Sequence, residues 1–439
     1  MSATFTFYDS IVCCLMLFIS LSIGIYFAFI NKKNSTPFEM ILGGCKQKTI
    51  PVALSLLASF VSSITILGIP AEIYIYGFHF WTITLFFPLV IAVTAFLFVP
   101  LFYSLNITSI YQGGIKAVIW TDVFQSVIII VAMLTVTIKG FIDGRGMRNV
   151  WSLNSLYNRT EILDFNPDPL KRNTVWTIGI GLFLNWLSVY STNQVMFQRY
   201  LSLGSLKKAK RSLWILLPLK MAIMTMTCLA GLLIFAKYYD CDPILTKQVS
   251  SPDQLYPFYV VNLFSNVPGF TGFMVAAVYS GALSTISSGV NSMSAITLED
   301  FLKPFLHNLT ERKATILTKF FSFLYGITII ALIAIVSQMG NVLQAGIQIF
   351  GILASPILGL FTLGIFFPSA NKIGAFVGSI LATVLSLWIG IGANIYKPYV
   401  PKMPVSVDGC VDLFMNATGK AFDPKNFTQF YRPEALILR

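Results

Sequence analysis

The residues with the clearest chemical potential are hydroxyl side chains in a segment without charge. Residues 254–298 contain no Asp, Glu, Lys or Arg, and an apolar run of this length is typical of a membrane-spanning helix. Within it, Gly281, Ser284, Thr285 and Ser288 follow the i, i+3, i+4, i+7 spacing and so share one helix face. Because a hydroxyl-rich face is costly against acyl chains, it must face protein, water or an ion.

Two interpretations fit this face. Hydroxyl oxygens beside helix carbonyls form an oxygen cage for a hard, weakly bound cation such as sodium. Alternatively, small residues let two helices approach closely while the hydroxyls bond back to their own turn. The spacing alone leaves both open.

A second polar line runs through residues 51–77, where several hydroxyl residues precede Gly68 and Pro70. Proline removes a backbone donor and clashes with the preceding turn, so we expect the helix to bend or open near residues 61–68. A helix broken at the membrane midplane exposes its carbonyls and amides to ligands, as in secondary transporters; a simple proline kink is the alternative. The hydroxyl residues are Ser55, Ser59, Ser62, Ser63 and Thr65.

An amide pair and three charged residues are the other polar positions in or near the spans. Asn193 and Gln194 need partners if buried, either on a neighbouring helix or on a solute. Asp122 lies near the inner start of its helix, where it complements the helix dipole or guides a cation. We expect Glu72 and Lys220 to snorkel towards the interface.

The elements that hold these residues are predicted to be membrane-spanning helices. The chain is 56% hydrophobic and 11% charged, which indicates an all-α polytopic membrane protein. We treat residues 1–439 as a single transmembrane domain, with a membrane region at 8–396 and an extracellular tail at 397–439. The ten predicted spans are 8–30, 51–77, 80–104, 117–140, 174–198, 213–237, 267–298, 315–337, 341–367 and 374–396.

The charge distribution predicts orientation and location. The first span lacks a positive leader and is followed by Lys32 and Lys33, so it is not a cleaved signal peptide and places the N-terminus outside. The net charge of +12 reflects basic inner loops, among which we count Arg199 and the K-K-A-K-R run at 207–211, and predicts no nucleic-acid partner. The basic run at 207–211 is either a signal for the inner side of the membrane or a contact with anionic lipid. We expect a multi-pass plasma-membrane protein in a lipid bilayer.

Several classes of chemistry are absent from the sequence. The two histidines, His79 and His307, lie at span ends or in loops, with no Ser/His/Asp set, phosphate-binding loop or metal-ligand spacing. We therefore predict neither an enzyme nor a primary pump, and no cofactor beyond sodium as a coupling ion. Cys241 and Cys410 fall in predicted outer loops, where a disulfide can form.

Glycosylation sequons agree with this orientation. Those at Asn158, Asn416 and Asn426 fall in predicted outer loops and are expected to carry glycans. Sequons at Asn34, Asn106 and Asn308 fall on the predicted inner side or at a span end.

These motifs together resemble the sodium/solute symporter family, on the branch of monocarboxylate and multivitamin transporters. The resemblance runs along most of the chain and implies a LeuT-like core of two inverted five-helix repeats with alternating access around a midplane site. The matching stretches are A-S-F-V-S-S-I-T-I-L-G-I-P-A-E-I-Y at 58–74, G-G-I-K-A-V-I-W-T-D-V-F-Q at 113–125, N-Q-V-M-F-Q-R-Y-L at 193–201, S-G-A-L-S-T-I-S-S at 280–288, T-L-E-D-F-L-K-P at 297–304 and F-G-I-L-A-S-P-I-L-G-L-F at 350–361.

The resemblance also assigns site residues. It implies that sodium binds backbone oxygens near Ala58 and Val61, together with Gly281, Ser284 and Thr285. The acid near the inner sodium exit matches Asp122, and the solute side matches Ser62, Ser63, Asn193 and Gln194. Sugar-transporting relatives have an aromatic gate just after that amide pair, whereas this chain has Val195 and Met196, which disfavours a sugar.

The chain departs from the family in two places. Tyr111-Gln112 runs directly into Gly113, where relatives have about two further spans, so the first repeat is expected to be incomplete. The family's last span would follow Arg439.

The resemblance implies a sodium-coupled symporter that imports a small organic anion, either a monocarboxylate or a vitamin acid such as biotin or pantothenate. An inorganic anion such as iodide is the alternative solute. A truncated, non-transporting form, retained in the endoplasmic reticulum, is the alternative of another class.

Overall fold

The computed structural model describes residues 5–31, 47–104, 115–168, 171–302, 304–305, 310–336, 342–396 and 400–418. Within these ranges the chain forms helices and connecting turns and contains no strand. The α-helices are α1 Phe7–Asn31, α2 Thr49–Phe60, α3 Ile69–Tyr76, α4 Ile83–Val93, α5 Val99–Ser104, α6 Ile115–Asp143, α7 Met147–Leu156, α8 Phe183–Ser191, α9 Gln194–Leu201, α10 Leu206–Lys237, α11 Leu255–Leu263, α12 Phe270–Ile296, α13 Glu311–Val336, α14 Val342–Phe366, α15 Lys372–Tyr396 and α16 Val411–Thr418.

All ten predicted spans fall on helices. In the described ranges, eight helices are individually long and apolar enough to cross a membrane, and the α2–α3 pair makes a ninth if counted as one bent span. The remaining predicted span, 174–198, is divided between two helices. Its apolar helix, Thr177–Ser191, is shorter than a full span, and the next helix begins at Gln194. The all-α polytopic class is confirmed.

The span at 51–77 is broken rather than merely kinked. α2 ends at Phe60, the chain turns at Val61 (φ −88°, ψ 74°), and a π-helical turn at Ile64–Gly68 leads into α3. The two halves meet at an angle of 59°. Pro70 lies in the first turn of α3, where its missing N–H is tolerated. The break at the position expected from Pro70 is therefore confirmed.

Two long helices hold this break in place. α10 packs against α2, α3, α4 and α6, while α12 packs against α1, α2, α6 and α13. α14 approaches the π-helical turn from another side, and at Gly68 an added Cβ would lie 2.7 Å from Leu343 Cβ. The broken span is therefore enclosed by the core of the bundle.

A cap formed by the 238–249 and 400–418 segments covers the end of α3. Cys241 and Cys410 form a disulfide with a Cα–Cα distance of 5.5 Å, as their placement in outer loops allowed. The Tyr74 hydroxyl donates to Asp242 at 2.7 Å. Burial raises the pKa of the Asp242 carboxyl, although hydrogen bonds from Leu245 N–H and Tyr74 oppose the shift. The disulfide thus joins the two segments of the cap covalently, and a hydrogen bond ties the cap to α3.

The buried Arg159 reinforces the same cap. Its guanidinium donates to the carbonyls of Tyr74 and, at 2.6 Å, Pro404, and lies 3.7 Å from the centroid of the Phe235 ring. The neighbouring Asn158 is exposed, with a φ of 55°. The sequon at Asn158 is therefore accessible, whereas Asn34, Asn106, Asn308 and Asn426 lie outside the described residues.

Candidate functional site

The candidate site is the break after α2 and the face of α12 opposite it. The last carbonyls of an α-helix have no intrahelical N–H partner, so the end of α2 presents backbone oxygens at Ala58 and Val61. Both residues are fully buried. The site therefore begins as a set of buried backbone oxygens at a helix terminus.

Gly281 brings α12 into close contact with these oxygens. A Cβ added at Gly281 would lie 2.7 Å from the carbonyl oxygen of Val61, shorter than an ordinary van der Waals contact. Only glycine permits this approach without a shift of either backbone. The predicted sodium residues Gly281 and Val61 are thus adjacent.

Thr285 links the two sides directly. Its hydroxyl donates to the Ser59 carbonyl across the gap at 3.2 Å and to the Gly281 carbonyl in its own helix at 3.0 Å. Ser284 donates its hydroxyl hydrogen to Asp122 Oδ1 at 2.6 Å. A hydroxyl that donates in this way keeps its lone pairs, so both oxygens can still accept a cation.

Asp122 lies at the centre of a buried polar cluster. Its Oδ2 accepts hydrogen bonds from the Ser55 hydroxyl at 2.6 Å and from Arg199 Nη2 at 2.8 Å. Arg199 also donates to Ser55 Oγ at 2.7 Å and Ser288 Oγ at 2.8 Å. The buried Asp122–Arg199 ion pair, together with its hydrogen bonds to three serine hydroxyls, thus joins the helices α2, α6, α9 and α12.

This cluster corrects one expectation and qualifies another. Arg199 is 2% exposed within α9, so its assignment to an inner loop is wrong. Asp122 is fully paired instead of merely facing a helix dipole. The pairing places a carboxylate one hydrogen bond from the Ser284 hydroxyl, which links the predicted exit acid to the predicted sodium ligand.

The predicted solute residues lie at two different places. Ser62 and Ser63 occupy the break itself and are half-buried. Asn193 caps the N-terminus of α9, where its Oδ1 accepts from Val195 N–H at 2.9 Å. Gln194 is half-buried in the first turn of the same helix. Asn193 therefore has a local structural role as a helix cap, beside any contact with a solute.

The expectation that Glu72 snorkels is wrong. Glu72 is fully buried and forms a two-point ion pair with Arg172, at 2.8 Å from both Nε and Nη2. Asn173 donates to the same carboxylate at 3.0 Å, and Arg172 also reaches Gln344 at 2.9 Å. This pair joins α3 to the segment before α8 and to α14.

Lys220 does not snorkel either. It is 3% exposed near the middle of α10, with its Nζ 4.1 Å from the centroid of the Trp186 ring. α10 runs from Leu206 to Lys237, and the buried ammonium on this helix does not reach an interface.

Comparisons with known proteins give a consistent result. A model of the sodium:solute symporter family matches residues 40–112 and 101–382. Human sodium-coupled monocarboxylate transporter 1 is 38% identical, with 93% of this chain and 77% of that protein covered. The rabbit (Oryctolagus cuniculus) sodium-dependent multivitamin transporter is 35% identical, with 89% of this chain and 71% of that protein covered.

A solved structure shares the fold. The substrate-bound outward-open state of a Na+-coupled sialic acid symporter aligns with a TM-score of 0.73 at 21% identity, covering 91% of this chain and 99% of that one. The match shows that the helices adopt the LeuT-like arrangement expected from the sequence.

The alignments also locate the departure from the family. The family model matches in two pieces that meet at residues 101–112. The alignment with the human relative has 476 positions, whereas 93% of 439 residues is about 408, so about 68 positions are gaps in this chain. At about 20 or more residues per span, this length corresponds to two or three spans.

Proposed function

The chain belongs to the sodium:solute symporter family, and we propose that it couples the movement of a small organic anion to sodium by alternating access. The observation that carries the proposal is the approach of Gly281 to the Val61 carbonyl. This contact brings backbone oxygens of the broken span and hydroxyls of α12 into one buried place. Oxygen ligands of this kind suit a hard monovalent cation.

The sodium ligands in this proposal are the carbonyls of Ala58 and Val61, the Gly281 backbone and the hydroxyls of Ser284 and Thr285. Asp122 lies behind Ser284 and supplies negative charge on the path between the site and the inner side. Its pairing with Arg199 limits the net charge there, which favours a site that releases its ion.

The solute proposed is a monocarboxylate or a vitamin acid. Support comes from relatives named as sodium-coupled monocarboxylate and sodium-dependent multivitamin transporters at 35–38% identity. Ser62, Ser63, Asn193 and Gln194 supply hydroxyl and amide groups on the solute side. A human sodium/iodide cotransporter is 34% identical, which makes iodide the second candidate.

The remaining proposals concern location. We place the chain in the plasma membrane, with the N-terminus and the Cys241–Cys410 cap outside the cell. The second candidate function, of another class, is a truncated form that is retained in the endoplasmic reticulum and does not transport, and the internal gap near residue 112 favours it.

Substitution of the two hydroxyls tests the sodium site. In a form with the gap filled, Ser284→Ala combined with Thr285→Ala should abolish sodium dependence of labelled pyruvate uptake while surface expression persists. Ser287→Ala is the matched control, because Ser287 is a serine of the same helix whose side chain is exposed. An unchanged half-saturation for sodium in the double variant would show that these hydroxyls only pack helices.

A further inference from the structure

The ammonium of Lys220 is buried among aromatic rings. Its Nζ lies 4.1 Å from the ring centroid of Trp186 and 5.6 Å from that of Phe87. Among the residues that the structure describes, none forms a hydrogen bond or ion pair with this Nζ. Its N–H donors therefore have no hydrogen-bond acceptor in the described part of the chain.

The position is inside the membrane region. Lys220 lies in the predicted span 213–237, seven residues after its first residue, or about 10 Å at the α-helical rise. A charged side chain at this depth is costly and normally faces a partner or a functional cavity. The rings offset part of this cost through cation–π attraction, but they accept no conventional hydrogen bond.

Arg199 provides a comparison within the same bundle. It is equally buried, yet its charge is balanced by Asp122 and its donors reach Ser55 and Ser288. Lys220 has no such acid in the described part of the chain. The bundle thus contains one basic group that is balanced and one that is not.

The helix face that carries Lys220 adjoins the broken span. Leu217 and Met224, three residues before and four residues after Lys220 on the same face of α10, belong to a buried cluster that includes Ile64 of the π-helical turn and Ile69 of α3. Trp186 lies on α8, the helix that leads to Asn193. The helix that carries Lys220 therefore packs against the broken span that contains Ser62 and Ser63, and its ammonium meets Trp186 on the helix that precedes Asn193.

We propose that Lys220 is the charge partner of the transported anion. Its ammonium donates hydrogen bonds to the carboxylate of the solute, while Trp186 and Phe87 exclude water and favour the apolar part of a small organic acid. The inference rests on the proposed function, because it assigns the negative charge of the solute to one group. In the empty protein the Lys220 amino group has no counter-charge in the described part of the chain, and the anion supplies one.

Ligand-dependent thermal stability of the purified full-length chain tests this proposal. Pyruvate in the presence of sodium should raise the melting temperature of the wild type. Lys220→Met, or Lys220→Gln as a second neutral variant, should need about 10 to 100 times more pyruvate for the same shift, the range expected for one lost hydrogen-bonded charge. Lys220→Arg should retain most of the response.

Lys210→Met is the matched control. Lys210 lies on the same helix with its Nζ 5.0 Å from the Phe96 ring centroid, but it is half-exposed near the helix start. Its substitution should leave the pyruvate response unchanged. Without pyruvate, Lys220→Met should melt at the same or a higher temperature than the wild type, because it removes a buried amino group that has no hydrogen-bond partner in the described part of the chain.

The outcomes separate the two proposals. A wild type that responds to pyruvate while Lys220→Met responds equally well overturns the role of Lys220 and leaves the proposed function standing. A wild type that responds to neither pyruvate nor iodide in sodium overturns both. A Lys220→Met variant that does not fold also refutes the inference, because the ammonium would then support the empty protein.

Discussion

Replacing Gly281 with alanine should separate α12 from the broken span. The added Cβ would lie 2.7 Å from the Val61 carbonyl oxygen, whereas ordinary contacts begin at 3.4 Å. The two backbones must therefore move apart by about 0.7 Å, and neither the carbonyl nor the helix axis can yield as a flexible side chain would. Overpacking of this kind costs about 1–3 kcal/mol.

The same shift should damage the sodium site. The Ala58 and Val61 oxygens belong to one side of the contact, and the Ser284 and Thr285 hydroxyls belong to the other. A separation of this size lengthens every cross-helix oxygen distance, so we expect a loss of at least about tenfold in sodium affinity, equivalent to about 1.4 kcal/mol. Thermal unfolding of the purified chain across a sodium titration measures both effects.

Gly289→Ala is the matched control for this experiment. Gly289 lies on the same helix, two turns further on, and an added Cβ meets nothing within 4 Å. Alanine there should be neutral or stabilising by up to about 1 kcal/mol, because it restricts the backbone without a clash. If Gly281→Ala and Gly289→Ala show the same melting temperature and sodium response, the close approach does not build the site.

Four further predictions address the rest of the molecule. Asp122→Asn should destabilise the chain by about 3–5 kcal/mol in thermal unfolding by leaving Arg199 unbalanced, and the Asp122→Asn/Arg199→Met double variant should recover part of the loss; additive losses would refute the coupling. Glu72→Gln should likewise lower the thermal stability, because it leaves the charge of Arg172 unpaired. The loss should exceed that of Lys171→Ala, because the Lys171–Asp164 ion pair is more exposed and contributes about 0–1 kcal/mol. Glycosidase mobility shifts on Asn→Gln variants should reveal glycans at Asn158 and at Asn416 or Asn426 but not at Asn34 or Asn308; a shift lost only in Asn34→Gln would invert the orientation. Insertion of a two-span segment between Gln112 and Gly113 should turn a retained, silent chain into a surface transporter of labelled pyruvate, whereas robust sodium-dependent uptake by the chain as it stands would show that those helices are dispensable.

The sequence predicted the features that depend on local pattern. Apolar runs located the helices, and Pro70 predicted the opening between α2 and α3, because hydropathy and a missing backbone donor act through neighbours in the chain. The face of Gly281, Ser284 and Thr285 was visible in helical spacing, and the structure places it against the break.

The sequence did not reveal ion pairs between residues that are far apart in the chain. Glu72 and Arg172 are 100 residues apart, and Asp122 and Arg199 are 77 apart. A charged residue near a predicted span end looks the same whether it snorkels, as was expected of Glu72 and Lys220, or is buried among other helices, as both are. The only available signal for Arg199 was its apolar surroundings in M-F-Q-R-Y-L, which are unusual for an exposed loop.

The most direct test of sodium coupling is reciprocal binding on the purified chain. Pyruvate affinity should be measured with and without saturating sodium, and sodium affinity with and without saturating pyruvate. If both occupy one coupled site, each ligand must raise the affinity for the other by the same factor, which for couplings of about 1–3 kcal/mol lies between about 5 and 150. Pyruvate binding that does not change with sodium would contradict the account.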